Sequence, residues 1–566
     1  MGNRGPRRRD LLRMAGGGLV GAATLGGSAR AAVAQPAPPY LAPAPHPAPA
    51  QLWQEYLAAP DTHPQIPNVS YAGYRRGERD IPRLPERVNA KTFGAAGDGN
   101  TDDTVAINAA IDATAAAGGG AVLLPPGTYK TSGLIRMHHS GVVLRGLGTS
   151  RTVIFCDKSL EEGYAFNRRE GDLSQWSWSG GLVWFVPKRL LESMRDAEFL
   201  GNEGWMDNET LTPVVADASR GARTLTVEDA GDIRAGDHVL LAVRNLPDSS
   251  LLAHLAGDVD GTAAYDWNSR ATRLRPEIST WAGAPNFVDY RWPVEVIHVS
   301  GDQVTLAQPL KFDLRTVWEP RLQTLGPVVR ESGIEDLTLR MRLTQQQPHN
   351  RDFGFNGPAF SAALNCWARN VHVENADNGF GLHSCKGVTL RDVSVGGRQR
   401  HHSYICRVQA HDNLVTRFRI DRATVPLPSG STHHGINVEG LASGNVWSDG
   451  VMENGTFDSH RALPFENVRT DITVTNDAFV GGAGDAGPRF GARFAHWNVR
   501  VTNGRTYAIA IHDMAPRAAV VGIAGATTFA SGLPRDFTGD LGSVSEALGS
   551  GVVPADLHAA QLRARL

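Results

Sequence analysis

Seven of the 19 histidines fall between His383 and His460. Two pairs are dipeptides, His401-His402 and His433-His434. His402 and His434 each stand eleven residues before an asparagine, Asn413 and Asn445, that opens a Val/Leu-rich run. An imidazole titrates near neutrality, so it can take or return a proton at working pH. Tyr404, Arg407, Asn437, Glu439, His460 and Arg461 complete the stretch. Dense titratable groups of this kind mark sites. They would suit removal of a proton beside a carboxylate. His402, His434 and His460 supply acid–base groups and Tyr404 a proton donor, while Arg461 or Arg407, with Asn437, holds the carboxylate. His401, Arg407, His433, Asn437 and Glu439 would line the substrate.

These residues lie far apart in sequence, so a repeating architecture must bring them together. From about residue 330, short alternating strands begin after a small or amide residue: Gly333, Asn370, Gly387, Asn413, Asn445, Asn467 and Asn498. A coil near 22 residues with variable loops fits this spacing. The asparagines are expected to hydrogen-bond between coils. Counting back six residues from Asn413, Asn445 and Asn467 gives Arg407, Glu439 and Arg461, an expected outward ladder at ~4.8 Å spacing. Alternation from Cys406 and Ile436 turns His402, Tyr404 and His434 inward. The same count leaves His401, Arg407, His433, Asn437 and Glu439 outward. Cys366, Cys385 and Cys406, one coil apart, are expected to stack inside, with a disulfide between two of them left open. No CxxC occurs, which argues against zinc, and no metal ligand is assigned. Calcium is left open without a motif to place it.

Val88 to Tyr129 carries the start of such a solenoid. Gly97-Asp98-Gly99-Asn100 is a turn. Thr101, Asp102 or Asp103 can cap a helix with Val105, Ile107, Ala110 and Ile111 on its apolar side. Gly118-Gly119-Gly120 ends the helix, Ala121–Leu124 is a buried strand, and Pro125-Pro126-Gly127 turns the chain. A helix here would cover the open apolar end of the first coil. The glycines have no Walker lysine and no GxGxxG in a βαβ setting, so no nucleotide cofactor is expected.

Phe93-Gly94-Ala95, Gly97-Asp98-Gly99, Thr101-Asp102-Asp103-Thr104, Ala106-Ile107 and Pro126-Gly127-Thr128-Tyr129 resemble the N-terminal signature of the pectate-lyase-like superfamily. The resemblance implies an all-β fold, a single-stranded right-handed parallel β-helix with an N-terminal capping helix. Members include lyases, hydrolases, epimerases and phage adhesins, so it leaves the reaction open. The clustered Asp pairs of polygalacturonase-type hydrolases and the Arg motif of calcium-dependent pectate lyases are both missing, which puts pectin in doubt as substrate. With the histidine cluster, the expectation is a polysaccharide lyase that cleaves a uronate-containing chain by β-elimination. The alternatives are a glycoside hydrolase with paired carboxylates and a non-catalytic glycan-binding β-helix.

The remaining segments follow in order. Residues 1–34 carry Arg8-Arg9, a Gly/Ala-rich apolar run and Ala32-Val33-Ala34. They resemble a twin-arginine export signal, which implies a secreted or periplasmic protein. Residues 35–50 read as a Pro/Ala linker. Residues 51–87, too irregular for a helix, should pack on the solenoid through Tyr71 and Tyr74. The β-helix is expected over 88–530, with a β-rich insertion at about 151–325 that walls a groove. Its Trp176, Trp178, Trp184 and Trp205 are read as core rather than as sugar platforms. Residues 531–566 form a tail with a short amphipathic helix. The net charge of −2 gives no case for nucleic acid. No later run is long enough to span a bilayer, and a monomer is expected.

Overall fold

In each coil of the solenoid the chain bends at one left-handed residue. Asp336, Asn370, Asp392, Arg417, Asp449, Asp471 and Asn498 all have φ between 50° and 56°. They occupy one column of the longest parallel sheet, between paired positions on either side. Asp and Asn tolerate this backbone better than other residues with a Cβ. Past the bend, Val371 and Val373 stack on Val393 and Val395, then on Phe418 and Ile420. All six are buried in one continuous core, each contributing roughly 1.5–3 kcal/mol by burial.

The computed structural model describes residues 47–166, 168–169, 173–194, 205, 207–267, 289–425, 434–453, 456–475, 480–484, 487–502, 511–526 and 534–566. All fall within one compact unit from Pro47 to Leu566. The expected export signal at 1–34, most of the expected linker at 35–50 and His433 lie outside the described residues. No helix among those described is long and apolar enough to cross a membrane.

The fold is a right-handed parallel β-helix. The long sheet runs in parallel register from Glu86–Asn89 through Gly120–Leu123, Val142–Arg145 and Gly333–Met341 to Val544–Gly549. A second sheet, here called the site sheet, stacks eight strands. They are Ile135–Met137, Val183–Phe185, Pro358–Ser361, Asn378–His383, His402–Arg407, Ile436–Val438, Phe457–Asp458 and Val480–Gly481. Solenoid strands therefore lie within the expected insertion, at Thr152–Cys156 and Val183–Phe185, and beyond residue 530 at Val544–Gly549.

The helix Thr104–Ala116 covers the first coil. Its buried face is Ile107, Asn108, Ala110, Ile111 and Thr114, whereas Val105 is 81% exposed and not part of it. Asn108 does a strand's work at the open edge: its Nδ2 donates to Leu134 O, and its Oδ1 accepts from Arg136 N. Against expectation, residues Gln51–Ala58 form a helix, with Leu52 and Tyr56 one turn apart on its buried side. The Glu546 carboxylate accepts from Gln51 N and Leu52 N at its start. Tyr71 and Tyr74 are buried.

Asn413, Asn445 and Asn467 form the interior ladder. Asn413 Nδ2 donates to Asn445 Oδ1 at 2.8 Å, and Asn445 Nδ2 to Asn467 Oδ1 at 2.9 Å. Asn370 and Asn498 sit in the column of bends, where Asn370 still bonds between coils, its Nδ2 donating to Asp336 Oδ1 at 2.8 Å. The cysteines do not stack. Cys366 precedes a long-sheet strand, Cys385 lies in a turn and Cys406 is in the site sheet, because turn lengths vary between coils. All four cysteines are free and buried, and burial pushes the Cys156 and Cys366 thiols up to about 12.

Strands between Thr210 and Thr324 build an antiparallel six-stranded sheet with its own core. That core is shared with Val408, Leu441, Ala462 and Phe465 from turns that follow the site sheet. Lys311 and Lys386 converge there on Asp412, which also accepts from Trp292 Nε1. Trp176, Trp184 and Trp205 are buried, whereas Trp178 is half-buried.

Candidate active site

The site sheet presents one face to the core and one outward. Phe380, Leu382, Tyr404, Cys406, Ile436, Val438 and Phe457 point into the core. Gly381, Ile405 and Asn437 form one outward row, with Asp458 next to Asn437. A second row holds His383, Arg407, Glu439 and His460. Gly381 places no side chain on this face, and Gly379 lets the backbone close onto Ser403 O and the core residue Val395. They floor a shallow pocket with Trp178, Asn356, Asn378, His383 and Ile405 around it.

Five imidazoles gather at the edge of this surface. The His401 and His402 ring centroids are 4.2 Å apart, His402 and His434 stack at 4.9 Å, and His401 and His434 are 5.0 Å apart. His460 is 5.3 Å from His434, and His349 is 4.8 Å from His401. Strict alternation would have sent His434 inward with Ile436. Gly435 intervenes at φ 56° and reverses the direction. His402 likewise joins the cluster, and its Nδ1 is 3.0 Å from Asn378 Oδ1.

Carboxylates set the tautomers. His401 Nδ1 is 3.0 Å from Asp352 Oδ2, and His434 Nδ1 is 3.1 Å from Asp458 Oδ1. His460 Nδ1 lies 3.4 Å from the other Asp458 oxygen without a hydrogen bond, and its Nε2 accepts from Arg461. A proton on each Nδ1 leaves Nε2 as a lone pair. Burial pushes His401, His402 and His460 below the usual imidazole range. His349 falls to about 3, through burial and then the neighbouring His401 and His434. Burial would raise Asp458, but His434 and His460 outweigh it and hold the carboxyl well below its ordinary value. Asp352 moves the other way, up to about 6 by burial.

Tyr404 is not the proton donor. Its ring stacks on Phe380 inside the solenoid, and its hydroxyl is 3.0 Å from Arg419 O and 3.2 Å from Val393 O. The Arg-Glu-Arg ladder also needs correction. Arg407 Nη2 pairs with Glu439 Oε1 at 2.6 Å, and its Nη1 donates to Trp178 O, both residues being buried rather than a surface pair. The next rung is His460, not Arg461, because the turn from that rung to Asn467 is one residue longer than in the coil before. Arg461 instead donates to His460 Nε2. Asn437 donates to Asp458.

The site also uses residues with no signal in the repeat count. His349 and Asp352 arrive on the segment between Met341 and Pro358. Asp377 pairs with Arg398 and accepts from Gly354 N and Phe355 N, so it pins that segment to the sheet. Parity places His383 on the outward row, had the strand Asn378–His383 been recognised as part of the sheet.

Residues 87–177 match the model of the rhamnogalacturonase A/epimerase, pectate lyase-like family. The mannuronan C5-epimerase AlgE6 of Azotobacter vinelandii is 52% identical over 73 residues, covering 12% of this chain and 8% of that one. Alginate lyase 7 of the same organism is 49% identical over 72 residues, with the same shares. The match thus spans under a tenth of the length of either relative. Among solved structures, the A-module of mannuronan C5-epimerase AlgE4 from Azotobacter vinelandii is 14% identical over 82% of this chain and 96% of that one, with a TM-score of 0.29. The tailspike gp49 of Pseudomonas phage LKA1 is 14% identical over 77% and 70%, with a TM-score of 0.40. The stacked parallel sheets make the chain a right-handed β-helix, and its residues 87–177 are similar to the rhamnogalacturonase A/epimerase, pectate lyase-like family.

Proposed function

We propose that the protein is an exported polysaccharide-modifying enzyme that acts on a uronate-containing chain and begins by removing the proton beside the uronate carboxylate. One observation carries this reading: His402 and His434, each with Nδ1 against an acceptor, stand at the edge of a glycine-floored outward face. His402 is the proposed base. It is the ring bonded to Asn378, which lines the pocket. In β-elimination the C5–H electrons form a C4=C5 bond, the C4–O4 bond breaks, and the departing oxygen gains a proton. Cleavage by this route is the favoured outcome. Epimerisation is the second reading, supported by the relatives named as mannuronan C5-epimerases. Replacing the same proton from the opposite face would invert C5 without cutting the chain.

The test incubates the protein with a panel of uronate polysaccharides in D2O. Ultraviolet absorbance from an unsaturated product supports elimination. Deuterium at C5 without new chain ends supports epimerisation. New reducing ends without that absorbance would indicate a hydrolase and overturn the proposal. Binding without any turnover would leave a glycan-binding β-helix.

A further inference from the structure

We propose that His349, His401 and His434 hold a divalent transition-metal ion of the zinc class, placed to neutralise the carboxylate of the substrate. The second clause rests on the function proposed above; the first does not. The three rings each offer a ligand atom, and these atoms lie within 4.8 Å of one another. Zinc–nitrogen bonds of about 2.0–2.1 Å bring tetrahedral ligands to roughly 3.4 Å apart. Side-chain rotation would close the remaining gap.

Three features distinguish this cluster from a set of core histidines. First, His401 and His434 each direct Nδ1 at a carboxylate, Asp352 and Asp458. Such carboxylate–histidine pairs orient metal-binding imidazoles and raise their basicity. Second, His401 Nε2 is buried and has no hydrogen-bond partner among the described residues, and the residue is only 2% exposed. His349 Nδ1 is buried and unpartnered as well. With Nδ1 of His401 and His434 turned to carboxylates, their Nε2 atoms are left as lone pairs near the His349 ring, an arrangement that a cation would satisfy, and neutral imidazole is the ligand form. Third, a uronate carboxylate needs a counter-charge, and the groups nominated from sequence are engaged. Arg407 is paired with Glu439, Arg461 donates to His460 Nε2, and Asn437 donates to Asp458. Three nitrogen ligands leave a fourth position for substrate oxygen.

A second triple, His434, Asp458 and His460, shares His434. It shares the unpartnered-nitrogen feature through His460 Nδ1 but is the weaker candidate, because Asp458 already accepts from His434 and Asn437, and His460 Nε2 accepts from Arg461. The sequence held no metal-site spacing because the three ligands come from separate coils.

The experiment uses tag-free full-length protein, stripped with chelator and dialysed against Zn²⁺, with metal content measured by mass spectrometry. Co²⁺ titration followed by visible absorption reports the ligand field independently of turnover. Wild type should retain about one ion per chain. His349→Ala and His401→Ala should each weaken binding at least ~100-fold, while His460→Ala retains the ion. Circular dichroism checks folding, and His349→Ala, on a half-buried segment, serves if His401→Ala fails to fold. No bound Zn²⁺ or Co²⁺ in wild type, or unchanged binding in His349→Ala, overturns the metal site. Loss in His460→Ala with retention in His349→Ala assigns the ion to the other triple and also overturns it. A metal-loaded protein inert toward every uronate polysaccharide keeps the site and rejects the function. Full turnover in stripped protein keeps the function and overturns the ion's proposed role in neutralising the substrate carboxylate.

Discussion

Asp458 stands between two imidazoles, with Oδ1 3.1 Å from His434 Nδ1 and Oδ2 3.4 Å from His460 Nδ1. Asn437 donates to it as well, and it is completely buried. It therefore fixes which nitrogen His434 turns toward the cluster and sets its charge beside His460. Asp458→Asn keeps the size and removes the charge. Turnover on the substrate found by the polysaccharide panel should fall about 10–100-fold, the usual cost of losing such an orienting partner. The far-ultraviolet circular dichroism should not change. Wild-type turnover in this variant would show that neither histidine depends on its carboxylate.

Tyr404 gives the opposite case. Its hydroxyl meets only backbone carbonyls, Arg419 O and Val393 O, from inside the solenoid. Tyr404→Phe should leave kcat and KM within about twofold of wild type. Stability should drop by about 1 kcal/mol, the net worth of one buried hydrogen bond. Steady-state kinetics and the urea midpoint check both. A collapse in kcat would return Tyr404 to the chemistry.

What could be read from sequence separates along a physical line. Parity within a strand was legible, and it put Tyr404 in the core beside Cys406 and Ile436. It failed at His434, where Gly435 at φ 56° reverses direction, because a single left-handed glycine looks like any other in a glycine-rich chain. The repeat count placed Asn413, Asn445 and Asn467 in one ladder. It misplaced Arg461 because a turn one residue longer slides the register. His349 and Asp352 were invisible, since a segment crossing a sheet carries no period. The fold was legible earlier than the site because capping and alternation are local, whereas the site is assembled from segments that meet only after coiling.

The asparagine ladder should be a strong stability determinant. Asn445 Oδ1 accepts from Asn413 N and Nδ2, while its Nδ2 donates to Ala410 O and Asn467 Oδ1. Asn445→Ala leaves Asn413 N without its acceptor and Asn413 Nδ2 with only Cys385 O at 3.4 Å, and it removes the donor to Ala410 O; each unmet buried group costs about 1–3 kcal/mol. Asn445→Ala should therefore lose about 2–5 kcal/mol. Asn498→Ala is the comparison, because Asn498 bonds to Val552, Pro554 and Ala555 near the chain end instead. Denaturant unfolding of both variants tests this. A loss under ~1 kcal/mol for Asn445→Ala would mean that water replaces the ladder.

His411 makes acid stability predictable in sign. Its Nε2 is 2.9 Å from Arg291 O, so that nitrogen carries the proton and Nδ1 accepts from Ser443 Oγ at 3.0 Å. Both ring nitrogens are committed in the neutral form, and the residue is wholly buried where the antiparallel insertion meets the solenoid. Burial takes its pKa down to about 3, against partial compensation from Asp412. Between pH 6.5 and 3 the unfolded chain therefore binds a proton that the folded chain refuses. Stability from this group is full above pH 6.5. It declines by about 1.4 kcal/mol for each unit below that, until the folded pKa is reached. Other buried groups contribute their own slopes, so the informative quantity is the difference between wild type and His411→Gln. Glutamine keeps a donor and an acceptor but does not titrate. The variant should be less stable at pH 7, and the gap should narrow steadily toward pH 4 in thermal melts. A gap independent of pH would mean that His411 is protonated in the fold, and the tautomer assigned from Arg291 O and Ser443 would be wrong.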